Sequence, residues 1–106
     1  MSERGIKNMR YNIDILISAN TDFVNICENL LEYGIYQINN FKDSFSKFLD
    51  NVSTMPFMFP QYAKKKKYRK APLAYDYLAF YQINKKARTV IVFRILHGKQ
   101  NVEDLL

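Results

Sequence analysis

The sequence has no tryptophan, a single histidine and a single cysteine among its 106 residues. A lone Cys27 cannot close an intramolecular disulfide, and with a lone His97 it excludes a zinc site built from several thiolates or imidazoles. Three glycines and three prolines are too few for a collagen-like or linker-rich chain, and no glycine-rich phosphate loop is present. No apolar run approaches the roughly 18 residues of a membrane span. The opening MSERGIKNMR lacks the apolar stretch of a secretory signal. These absences predict a soluble, cytoplasmic protein with no metal and no cofactor. What is present is a hydrophobic content of 48%, including eight Tyr and eight Phe. That is enough for one packed core, excludes disorder, and leaves too little chain for a second domain.

Charge is abundant but lopsided. The formal net charge is +6, yet residues 1–60 hold seven acids against five Lys and Arg, a slight negative excess. Residues 61–106 hold eleven Lys and Arg against three acids, an excess of +8. Six of those eleven stand in the run KKKKYRK: Lys64, Lys65, Lys66, Lys67, Arg69 and Lys70. Such a half-chain asymmetry points to an anionic partner for the C-terminal half, against the plainer reading of a solvated loop.

Hydrophobic periodicity supplies the elements. Residues 1–8 show none and are expected to be a flexible N-terminus, with one domain over residues 9–106. In residues 9–18, Tyr11, Ile13, Ile15 and Ile17 alternate with Arg10, Asn12, Asp14 and Leu16, predicting a strand. Ser18, Asn20 and Thr21 are then candidate helix caps, with Asp22 suited to a helix's positive end. Phe23, Ile26, Cys27, Leu30 and Leu31 form one helical stripe that Gly34 can stop near Tyr33. Ile35, Ile38, Phe41, Phe45, Phe48, Leu49 and Val52 form a second, so the two helices make an antiparallel hairpin. Pro56 and Pro60 end it, and the apolar Met55, Phe57, Met58 and Phe59 are expected to pack back over the core. A short edge strand over residues 68–73 and strong strands over 77–84 and 89–97 follow, the last apolar on both faces and therefore central. Residues 84–88 fit a hairpin loop. The expectation is an α+β domain, β-α-α-β-β-β, with a helical hairpin packed on a mostly antiparallel four-stranded sheet.

That order, the hairpin YDYLAFYQINKKART and the closing segment VIVFRILHGKQNVEDLL resemble the RelE/ParE superfamily of type II toxin–antitoxin toxins. The likeness covers residues 9–106, and its most specific part is RILHGKQ, residues 94–100. The resemblance implies one of two activities, each neutralised by a cognate acidic antitoxin. RelE-like members cut mRNA in the ribosome, whereas ParE-like members inhibit growth by binding DNA gyrase. Leu78 and Gln100 stand where the ribonucleases carry arginines, and Leu106 stands near their terminal tyrosine. The turn HGKQN resembles that of the ParE branch, so the chain sits nearer ParE. A non-toxic basic binding domain that keeps only the fold is a third reading.

Each candidate residue has a plainer alternative. Metal-independent RNA cleavage needs a base, cations and an acid, and His97, Arg94 and Lys99 are the candidates if the chain is a ribonuclease. A histidine at a strand end otherwise fixes a turn. Arg94, in an apolar run, must find a partner such as Asp76 or Glu103 or else face a functional groove. Strand alternation continued to Lys99 would put Arg94 opposite His97. Gly98 is expected to take a positive-φ turn, and Tyr75, Tyr77 and Tyr81 to pack in the core or across strands. Val102, Leu105 and Leu106 either fold back on the sheet or form part of a surface for the antitoxin or the target.

Overall fold

The computed structural model describes residues 10–106, so the expected flexible segment 1–8 lies outside the described residues. The elements are β1 (Asn12–Ile15), α1 (Ile17–Leu30), α2 (Ile35–Thr54), β2 (Arg69–Pro72), β3 (Tyr77–Asn84), β4 (Thr89–His97) and a one-turn α3 (Val102–Leu105). The sheet runs β1-β4-β3-β2, with β1 parallel to β4 and the other pairs antiparallel. This is the expected α+β order. A parallel pair needs a long connection, and here it runs through the α1–α2 hairpin and then β2 and β3. β4 is central, as its run of β-branched residues requires, and β2 with its proline is an edge strand. Among the described residues no helix is long and apolar enough to cross a membrane.

The core lies between the hairpin and one sheet face. Ile26 and Leu30 of α1 and Ile38, Phe41, Phe45, Phe48 and Val52 of α2 are buried there with Ala79, Tyr81, Val90, Val92 and Ile95 of the sheet. Cys27 packs beside them, and burial pushes its thiol pKa up. The stripes fail only at the hairpin tip, where Leu31 and Ile35 are 64% and 70% exposed. The reason is a 3-10 turn over Leu31–Tyr33, whose three residues per turn rotate the apolar face out of phase. Gly34 ends it with φ 108°, a backbone region that favours glycine.

α1 starts earlier than the cap candidates indicated, at Ile17 directly after Leu16, and no side chain caps it. β1 stops at Ile15, which leaves the edge of β4 beyond Val92 without a strand neighbour. The start of α1 takes over that edge. Leu16 N–H donates to the Val92 carbonyl at 3.1 Å, and Ser18 Oγ donates to the Phe93 carbonyl at 2.7 Å. Ile95 N–H donates to Asp22 Oδ2 at 2.9 Å. Ser18 and Asp22 thus complete the sheet rather than the helix end, because an unpaired buried backbone group is the costlier alternative.

The segment after α2 only partly meets expectation. Phe59 packs on the core against Phe48, whereas Met55, Phe57 and Met58 remain exposed. Pro56 is fastened from below by the hydroxyl of the fully buried Tyr81, which donates to its carbonyl at 2.8 Å. Burial pushes the Tyr81 phenol up to about 12, with nearby Arg69 acting in the opposite direction. The unfolded phenol titrates near 10, so between about pH 10 and 12 the unfolded chain releases a proton that the folded chain retains. This contribution to stability is complete below about pH 10 and falls as pH rises, by roughly 2 kcal/mol at pH 12. Comparing urea unfolding of the wild type and Tyr81→Phe across that window measures it, since the variant lacks this part of the alkaline slope.

Candidate functional site

β4 bears two of the residues singled out for function, Arg94 and His97, and its register explains where they lie. A bulge sets Phe80 opposite Arg94 but Tyr81 opposite Val92, leaving Phe93 as the extra residue. Val92 and Ile95, three apart, consequently share the helix-facing core. Leu96 joins a second cluster with Phe80, Tyr68 and Val102. β4 ends at His97, so Lys99 lies in a turn and not on a strand face.

Arg94 sits at this irregularity beside the free edge. Its partner is Asp22, not Asp76 or Glu103. Nε donates to Asp22 Oδ2 at 2.7 Å and Nη2 to Asp22 Oδ1 at 2.9 Å, a two-pronged pair whose side chains are 26% and 13% exposed. Nη1 donates to the Leu105 carbonyl at 2.9 Å. The hydrogen bonds to Asp22 raise the Arg94 pKa further above its ordinary value. One guanidinium therefore clamps α1, β4 and α3.

α3 is fixed from its other side by the basic run. Residues 60–70 form a tight hairpin in which Tyr62 N–H donates to the Tyr68 carbonyl and Lys70 N–H to the Pro60 carbonyl. Lys64 pairs with Glu103 at 3.1 Å, which raises the lysine's pKa, and Lys65 Nζ reaches the Leu106 carbonyl at 3.5 Å. Lys67 and Lys70 stand over the rings of Tyr68 and Tyr62. Tyr62 and Tyr68 in turn meet Phe80 and Phe93 edge-on. Val102 is buried in that second cluster, Leu106 packs against it, and Leu105 is exposed. The cluster thus divides between anchoring α3 and presenting charge.

His97 lies across the sheet end from Tyr77, ring edge to ring face at 5.0 Å. Its Nδ1 accepts the Lys99 backbone N–H at 3.1 Å, and the His97 backbone N–H donates to Gln100 Oε1. With Nδ1 accepting, the neutral ring keeps its proton on Nε2. Gly98 does not take a positive φ. At this end of the sheet the left-handed residues are Tyr75 and Asp76 just before β3, and Gly98 N–H donates to the Asp76 carbonyl at 2.9 Å. Asn40 and Ser44 of α2 hold that turn by bonds to the Tyr75 hydroxyl and the Ala74 N–H. Tyr75 is itself exposed, unlike the fully buried Tyr81. A cleft of about 250 Å³ lies between α1 and this end of β4, lined among others by Asp22, Asn25, Arg94 and His97. Among the described residues no three of His, Cys, Asp and Glu are grouped to hold a metal ion.

Residues 13–102 match the family described as the ParE toxin of the type II toxin–antitoxin system parDE. The chain belongs to the ParE toxin family. Solved structures share its fold at low identity. The chromosomal ParDE system of P. aeruginosa gives a TM-score of 0.68 at 10% identity, over 84% of this chain and 97% of that one. A free-state mutant of E. coli RelE gives 0.66 at 17% identity, over 92% and 100%. The RelBE2 toxin–antitoxin complex from Mycobacterium tuberculosis gives 0.58 at 18% identity, over 83% and 98%. No curated protein matches the sequence.

In this ParE-family toxin, Arg94 and His97 line one cleft, and Lys99 meets His97 through its backbone N–H. Residues 64–70 lie apart from that cleft, on the hairpin that holds α3. The residue missed by sequence reasoning is Asp22. Its spacing carries a usable signal: Asp22, Ile26 and Leu30 fall at i, i+4 and i+8, so the carboxylate lies on the buried stripe of α1, where an acid needs a cationic partner.

Proposed function

We propose that this ParE-family toxin inhibits growth by binding DNA gyrase and is neutralised by a cognate acidic antitoxin. The observation that supports binding over catalysis is the state of Arg94. RNA cleavage needs a cation free to meet the charge that builds on the reacting phosphate. Here Nε, Nη1 and Nη2 are all directed at Asp22 and Leu105. Leu78 and Gln100, where the ribonuclease pattern carries arginines, supply no replacement charge. His97 with Lys99 remains as a turn-fixing pair.

The binding surface on this reading is Lys64, Lys65, Lys66, Lys67 and Lys70 of the basic hairpin with the exposed Leu105 and the half-buried Leu106, while Val102 holds α3 beneath them and Arg69 turns instead to the Phe57 and Phe59 carbonyls. A positive rim around exposed apolar side chains suits an acidic polypeptide that orders on contact. The P. aeruginosa and Mycobacterium tuberculosis relatives are toxin–antitoxin systems, which supports the same assembly for this chain. Purified toxin added to a gyrase supercoiling assay is expected to inhibit it, and induced expression to trigger the DNA-damage response. Unimpaired supercoiling, with translation arrest and cuts in ribosome-bound mRNA, would overturn the proposal in favour of a RelE-like endoribonuclease.

A further inference from the structure

A second basic region lies at the opposite end of the sheet from His97. Tyr77 pairs with His97, whereas Asn84 pairs with Thr89 beside the β3–β4 turn. Seven strand residues, roughly 20 Å, separate the two ends. At the turn end Phe57 is 46% exposed. The Arg69 guanidinium carbon stands 5.1 Å from its centroid and Lys85 Nζ stands 5.3 Å from it. Lys86 and Gln82 line the same groove of about 510 Å³. Arg69 is held in place, its Nη1 donating to the Phe59 carbonyl at 2.7 Å.

Among the described residues the ion pairs are Lys64–Glu103 and Arg94–Asp22, so Arg69, Lys85 and Lys86 have no carboxylate partner. Cations gathered around one aromatic ring repel one another until an anion enters. We propose that this groove binds an unpaired nucleic-acid strand, a base displacing the Lys85 ammonium from over the Phe57 ring and stacking there, while Lys85, Lys86 and Arg69 meet the flanking phosphates. Alternating π-faces and phosphates match an aromatic ring set among cations. An acidic peptide would match the cations only, since the negative face of the ring repels carboxylates. The inference does not depend on gyrase being the target.

The test is fluorescence anisotropy of a labelled oligothymidylate of about twelve nucleotides with the full chain. Three phosphate contacts on a single strand imply a log–log salt slope of about −2, so affinity falls roughly 20-fold between about 50 and about 200 mM salt. Phe57→Ala is expected to weaken binding roughly tenfold with an unchanged melting temperature. The double variant Lys85→Gln with Lys86→Gln is expected to reduce the slope by about 1.4. Polyglutamate of equal length is expected to compete poorly. Absence of binding, or full affinity in Phe57→Ala, would overturn the proposal. Equal displacement by polyglutamate with no effect of Phe57→Ala would overturn it too and assign the groove to an acidic protein.

Discussion

Asp22→Ala is expected to lower the unfolding free energy by about 3 kcal/mol, the lower end of the range for breaking a buried ion pair from one side. The lower end applies because the Arg94 side chain keeps 26% of its surface in water, where solvent replaces part of what is lost. The change orphans three donors at once: Arg94 Nε, Arg94 Nη2 and the Ile95 N–H on the uncovered edge of β4. For a domain of this size such a loss displaces the melting temperature downward by roughly 15 °C. Asp22→Asn should recover about 1 kcal/mol of it, because an amide oxygen still accepts the Ile95 N–H. Arg94→Ala spares that bond but also frees the Leu105 carbonyl, so it should release α3 while Asp22→Ala weakens β4 as well. Urea unfolding of both single variants and the double variant gives the coupling energy. A coupling near zero would show that the two side chains stabilise the fold separately.

The same pair shows why part of the molecule is legible from the sequence and part is not. β3 and β4 follow from composition and alternation to the residue, and the helical hairpin follows from its two stripes. These signals are local, each strand or helix announcing its own buried face. Asp22 and Ser18 carry a local signal that misleads, because acids and serines near a helix start usually cap it. Their real partners on β4 are more than 70 residues away. The need for those partners arises from where β1 stops, a tertiary fact. Arg94 is similar. Its apolar surroundings correctly demand a partner, but the bulge at Phe93 breaks the alternation by which the partner and the facing side would be deduced. The exposure of Met55, Phe57 and Met58 was equally hidden, since composition cannot show that the segment is tied down through Phe59, the Tyr81 hydroxyl and Arg69 instead. At the site, the sequence indicated the basic run and the His97 turn but not that Lys64 and Lys65 serve α3.

Phe48→Ala should destabilise the protein by about 3–5 kcal/mol, for reasons that reach beyond its own burial. Its ring is 3% exposed and meets three others, those of Phe45, Phe59 and Tyr81. Two of these contacts are the footing of the segment between α2 and β2. Phe59 packs on Phe48, and Tyr81 carries the hydrogen bond to Pro56. A cavity at Phe48 therefore loosens residues 55–61 before it unfolds the sheet. The readout is native-state hydrogen exchange. Protection of the Lys70 N–H, which donates to the Pro60 carbonyl, should fall by more than the loss of global stability, while that of the Ile95 N–H should fall only in proportion to it. Binding at the Phe57 groove should weaken in parallel, although Phe48 does not line it. Phe57→Ala makes the reverse contrast, with weak strand binding and intact stability. Equal loss of protection at Lys70 and Ile95 would mean that the segment and the sheet open as one unit. The preorganisation of Arg69 over Phe57 would then depend on global folding and not on the aromatic stack beneath it.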